Sequence, residues 1–229
     1  MSVLLRGVGK SPGGSIFSPL DLSSLTAWYS AQRQTGYTNG AAVTSATDFS
    51  GNGRTLVNST VASQPAFSTG GINNRPSFTF TVDVLRYSFG SSLSQPFTMA
   101  GVAIATLAAD TRMIDGGDGN LNRCVVYVDA GNHRMFAGVV SSAEAVSTGA
   151  AFKFVAVFNG ANSRYYINNT AFVATSPGAQ GIDRITFGAD QAEVSPWAGE
   201  IGEYLIYSAA LSSAQCEQLK DYFNAQWGL

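Results

Sequence analysis

Few side chains in this sequence combine the types and spacing that chemistry requires. The densest group is Asp115-Gly116-Gly117-Asp118-Gly119-Asn120, where two carboxylates, an amide and three glycines could offer oxygens to calcium or to sugar hydroxyls. Calcium favours hard oxygen ligands in flexible loops. The group lacks the trailing glutamate of a helix-loop-helix calcium site, so an ordinary hairpin turn is the main expectation. Contact to a glycan or calcium through Asp115, Asp118 and Asn120 is the alternative. His133 is the single histidine, and any Ser-His-Asp, Cys-His or two-histidine metal site must include it. Placed after Ala-Gly-Asn and before Arg-Met-Phe, it reads as a solvated residue at a hairpin exit. Glu200 and Glu203 should point to opposite sheet faces, because successive strand residues alternate. Cys124 and Cys216 lie far apart in sequence and read as two buried free thiols, too few for a disulfide framework. Neither Gly13-Gly14-Ser15 nor the Gly116 loop carries the Lys-Ser/Thr that grips a nucleotide phosphate. No cofactor is implied, and calcium has no specific motif behind it. Sugar binding needs an exposed aromatic plane beside polar groups, for which Trp197, Tyr29 and Tyr37 are the candidates.

The elements that must position these residues are mostly strands. The chain has 229 residues, 12% charged and 45% hydrophobic, with 25 glycines. Charge is well under the globular norm of about 25%, and Ser, Thr, Asn and Gly take its place. A formal net charge of -2 without any Lys/Arg cluster argues against nucleic acid, whose phosphates need concentrated positive charge. The longest weakly polar stretch, residues 97–109, is shorter than the ~20 residues that span a bilayer. Residues 1–20 hold Gly7, Gly9, Pro12, Gly13, Gly14 and Pro19 and read as an extended arm, with no secretory apolar run at its start. From residue 21 onward, short apolar alternations recur between Gly/Asn turns. Phe78, Phe80 and Val82 form one face of a half-buried strand, and Phe152, Phe154, Ala156 and Phe158 another. Residues 124–128, 164–168, 184–188 and 200–207 are further strands. One helix is signalled at about 212–227. Ser212 and Gln215 form a capping box, Gly228 stands at the C-terminal cap, and Cys216, Leu219, Phe223 and Trp227 make one apolar stripe. That stripe is expected on a sheet edge or sandwich rim.

The ending from Trp197 to Leu229, with its Gly-Glu-Ile step, Ala-Leu-Ser turn and Trp-Gly-Leu tail, resembles the close of laminin-G-like, concanavalin A-type jelly-roll domains. The opening Leu25–Ala31 strand and the Asp48-Phe-Ser-Gly-Asn-Gly turn resemble the front of the same group. The resemblance implies an all-β fold, an antiparallel jelly-roll β-sandwich over residues 21–229 with one C-terminal α-helix and an extended N-terminal arm. Glycosidases of this fold carry paired carboxylates on one strand face, as retaining chemistry at about 5–5.5 Å requires. No such set is seen, so a non-enzyme is expected. A short arm ahead of such a sandwich resembles tailed-bacteriophage virion proteins. That implies a capsid decoration or surface-fibre subunit on the virion surface, assembled in the host cytoplasm. Its partners would be major capsid or tail subunits, and a homo-oligomer, with a trimer the form to test, would be held by arm residues Arg6, Lys10, Ile16 and Phe17. The alternative is a glycan-binding adhesin module recognising a cell-surface polysaccharide. Neither nucleic acid nor membrane is an expected partner.

Overall fold

The computed structural model describes residues 17–117, 123–141 and 144–229. Its strands, numbered in chain order, form two antiparallel sheets. The first contains β1 (Leu25–Ser30), β4 (Ala66–Ser68), β5 (Ser77–Phe80), β7 (Phe97–Ala105), β12 (Ala151–Phe158), β13 (Ser163–Ile167), β14 (Val173–Thr175) and β16 (Gly199–Tyr207). The second contains β2 (Ser45–Ala46), β3 (Leu56–Val57), β6 (Leu85–Leu93), β8 (Thr111–Asp115), β9 (Val125–Asp129), β10 (Asn132–Phe136), β11 (Glu144–Ala145) and β15 (Ile182–Phe187). The first sheet runs β14-β13-β12-β7-β16-β5-β4 with β1 also on β16, and the second runs β11-β10-β9-β8-β15-β6-β3-β2. This is the all-β sandwich expected from the alternation.

The inner faces meet in one core. Phe78, Phe80, Phe152, Phe154, Ala156 and Phe158 from the first sheet pack with Met113, Val126, Met135, Ile185 and Phe187 from the second. The expected Phe78–Val82 strand stops at Phe80, and Val82 is 66% exposed. The chain turns there, because the Thr81 amide and hydroxyl donate to Asp83 Oδ2 at 2.9 and 3.0 Å.

The helix α1 (Ser213–Trp227) has the expected capping box between Ser212 and Gln215, and Gly228 closes it at φ 70°. Its stripe does not sit on an edge or rim. Cys216, Leu219, Phe223 and Trp227 pack over Ala100, Val102, Val155, Val157 and Leu205, on the outer face of the central strands β7, β12 and β16. Strand β12 therefore has both faces covered, and its alternating phenylalanines and valines are all buried. Phe17, expected in an assembly arm, is 4% exposed and packs edge-on against Tyr222 of the same chain's helix, 6.2 Å between centroids. Arg6, Lys10 and Ile16 lie outside the described residues.

Bulges change which side chains share a face, and two of them bear on the carboxylates read from the sequence. In β16 the register shifts between Ile201 and Glu203, so Glu200, opposite Ile104, and Glu203, opposite Val102, both point to the helix side. This corrects the opposite-face expectation. Gly202 makes the bulge tolerable, since a Cβ there would stand 2.5 Å from the Trp227 ring. In β8 a shift between Arg112 and Ile114 sends Met113 and Ile114 inward while Arg112 and Asp115 both face outward.

Candidate functional site

Helix α1 covers the outer face of the first sheet's central strands, whereas the outward face of the second sheet carries, among the described residues, a loop and no helix. Register places its side chains in rows across the strands. One row is Arg134, Tyr127 and Arg112 on β10, β9 and β8. The next runs Phe136, Val125, Asp115, Thr186, Arg86 and Val57 from β10 through β3. Residues Asp190–Pro196 leave the end of β15 and lie over this face. The Arg112 amide donates to the Ser195 carbonyl at 3.0 Å and the Gln191 amide to Asp115 Oδ2 at 3.3 Å. Asp190 Oδ1 ties the loop to itself, accepting from the Ala192 and Val194 amides at 3.1 and 2.9 Å.

On one side of this loop is a groove of about 130 Å³ lined by Arg112, Arg123, Val125, Tyr127, Phe136 and Val140. The Arg112 guanidinium lies 4.3 Å over the Tyr127 ring and pairs with Asp110. Arg123 Nε donates to Asp115 Oδ2 at 2.9 Å, and its Nη2 is 3.7 Å from Asp190 Oδ2. A planar, ion-paired guanidinium is held still and keeps spare N–H donors for a polar ligand. The groove thus joins fixed donors to the apolar surface of Phe136 and Val140. On the other side of the loop is a larger, open cavity of about 650 Å³, walled by Thr44, Ser45, Ser59, Thr60 and Ser63 and by Val57 and Val84, with the Arg86–Glu193 pair at 2.6 Å beside it.

Most residues singled out from sequence stand elsewhere. Asp115 is fully buried and accepts from Arg123, the Gly117 amide and the Gln191 amide, so it anchors the β8–β9 hairpin and the overlying loop. Burial pushes its carboxyl up, against the opposing pull of Arg123. Asp118 and Asn120 lie outside the described residues. Trp197 is fully buried in the inter-sheet core and offers no ring to solvent; Tyr29 is equally buried. His133 is not a solvated turn residue. It is 0% exposed, among the rings of Phe152, Phe154 and Tyr165 at 5.7, 5.1 and 5.4 Å, and burial pulls its imidazole down to about 3. Strand alternation in β10 explains this: His133 and Met135 face in, Arg134 and Phe136 face out. Asp48 holds its turn, accepting from the Trp28, Ser50 and Arg54 amides, each at 2.9 Å. Cys124 and Cys216 are free and buried. Among the described residues no group of three or more His, Cys, Asp or Glu is placed to hold a metal ion. Arg112, Tyr127 and Phe136 were not singled out from the sequence. The signal that could have found them is the alternation of residues 124–136, which puts Tyr127, Arg134 and Phe136 on one face against Val126, Val128 and Met135.

No protein-family model matches the chain, and no curated relative matches it. Among solved structures it is similar to a Trypanosoma rangeli sialidase mutant displaying trans-sialidase activity, with TM-score 0.61 and 9% identity over 89% of this chain and 33% of that one. It is similar to domain 4 of AbnA, an extracellular arabinanase of family GH43 from Geobacillus stearothermophilus, in complex with arabinotriose. There the TM-score is 0.59 and the identity 16%, over 86% of this chain and 98% of the domain. The binding domain of Paraclostridial Mosquitocidal Protein 1 gives TM-score 0.60 and 15% identity over 82% of this chain and 52% of that one. The chain spans about a third of the sialidase. At these identities the likeness is one of fold, and it agrees with a concanavalin A-like sandwich. It also corrects the expectation of a non-enzyme: about a third of a sialidase and a domain of an arabinanase share this fold, so the fold does not set this chain apart from enzymes.

Proposed function

We propose that this chain is a glycan-binding module whose ligand lies on the outward face of the second sheet. The observation that carries this reading is the groove beside Arg112, Arg123, Tyr127 and Phe136. It combines fixed N–H donors, which suit sugar hydroxyls, with an apolar wall, which suits the C–H face of a sugar ring. The similarity to nearly the whole of a domain solved with arabinotriose supports it. The virion role expected from the sequence rests on the arm ahead of the sandwich, so glycan binding is the better supported of the two. Titration calorimetry against arabinotriose and a panel of other oligosaccharides, with wild type and Phe136→Ala, tests the reading. Binding should be lost or weakened at least about tenfold, 1.4 kcal/mol, in Phe136→Ala with its melting temperature kept. Equal affinity in both proteins would move the site elsewhere, and no binding to any glycan would end the proposal.

A further inference from the structure

The groove and the larger cavity lie on one face of one sheet, with the Asp190–Pro196 loop over the strands between them. Arg86, in the cavity wall, stands in the same cross-strand row as Val125 and Phe136 of the groove. From β9 in the groove to β3 in the cavity is four strand steps, about 19 Å at the usual spacing. That span exceeds a single sugar ring. In that loop Val194 is 60% exposed, an apolar surface of the kind a sugar C–H face can ride over.

Charge on this face narrows the ligand further. Each of its arginines has a carboxylate beside it: Arg86 with Glu193, Arg112 with Asp110, Arg123 with Asp115 and Asp190, Arg134 with Asp129, and Arg184 with Asp183. Among the described residues of this face, five guanidinium groups against six carboxylates leave no surplus positive charge to attract a polyanion. What is left is hydrogen bonding from paired guanidinium groups and from the hydroxyls of Thr44, Ser45, Ser59, Thr60 and Ser63.

We propose that this face binds an internal stretch of one neutral polysaccharide chain running across the strands. The chain lies from the Tyr127–Phe136 groove, over Val194, into the hydroxyl-lined cavity beside Arg86. This rests on the glycan-binding reading and adds two claims to it: ligand length and ligand neutrality.

The test is a calorimetric length series, from disaccharide to octasaccharide, of arabino-, xylo-, gluco-, manno- and galacto-oligosaccharides, set beside oligogalacturonates and oligosialic acids. A neutral series should bind with affinity rising at least about tenfold between trimer and hexamer, because linked subsites act together. Ser59→Trp, which fills the cavity from an exposed position, should bring the hexamer back to trimer affinity. Affinity that levels off at the trimer, with Ser59→Trp silent, would overturn the two-groove platform while leaving the groove a glycan site. Preference for an acidic series, weakening steeply with salt, would overturn neutrality. Absence of binding to every series would overturn both this proposal and the functional reading beneath it.

Discussion

Two buried ionisable side chains, His133 and Glu203, give the stability of this protein opposite pH dependences. His133 is neutral in the folded chain down to about 3, against an ordinary value of 6.5, because burial among aromatic rings penalises its charged form. As pH falls below 6.5 the unfolded chain takes up a proton that the folded one refuses, so stability drops through that window and levels off near 3. The loss is on the order of 5 kcal/mol when complete, at 1.36 kcal/mol per unit. In His133→Leu this component should vanish, so urea unfolding of the two proteins from pH 7 to pH 4 should give diverging curves. Parallel curves would mean that the ring is not desolvated. Glu203 works in the other direction. Burial pushes its carboxyl above the ordinary 4.5, although Trp227, Trp28 and Tyr222 all donate to it, at 2.7, 2.5 and 2.8 Å. Its share of stability is present below about 4.5 and is lost as pH rises through the raised value. Glu203→Gln puts an amide N–H against one of three donors and should cost about 1–3 kcal/mol near neutrality by chemical denaturation. Neither residue's role was legible in the sequence. A lone histidine in a polar hairpin and a glutamate in a strand look solvated until the opposing sheet and the helix are in place.

At the scale of the element, local signals were read well where they are local. The helix boundaries, its capping box and its left-handed glycine all follow from a few adjacent residues. Ser212→Ala removes the cap bond from the Gln215 amide and should lower stability by about 1 kcal/mol, visible as a shift in the denaturant midpoint with an unchanged slope. The bulges were not legible, because a bulge is a property of two paired strands rather than of one. Gly202→Ala tests the one in β16: its Cβ would meet the Trp227 ring, an overpacking that should cost about 1–3 kcal/mol. A Gly202→Ala protein as stable as wild type would mean that Trp227 has room to move. The bulge in β8 matters more for function, since it brings Arg112 to the same face as Asp115 and so shapes the groove. Period-two reasoning alone would have separated them.

Across the whole molecule, one sheet carries a helix on its outer face and the other a loop. Helix α1 covers the outer face of β7, β12 and β16 with Cys216, Leu219, Phe223 and Trp227, so a chain ended at residue 211 would expose a broad apolar sheet face. Such a truncation should be recovered as aggregate or as an unfolded species in size-exclusion chromatography. A soluble, cooperative folded monomer would show that the helix is dispensable. What the sequence determined by itself was the all-β class, most strand positions and the terminal helix, because alternation, turn residues and caps act over a few residues of chain. Only the tertiary structure decided that the helix lies on a sheet face, that Trp197, Tyr29 and His133 are core, and that Arg112, Tyr127, Phe136 and Arg86 face the same side of the second sheet. Those facts depend on strand register, on bulges and on which sheet faces which, and none of these is written in any single stretch of residues.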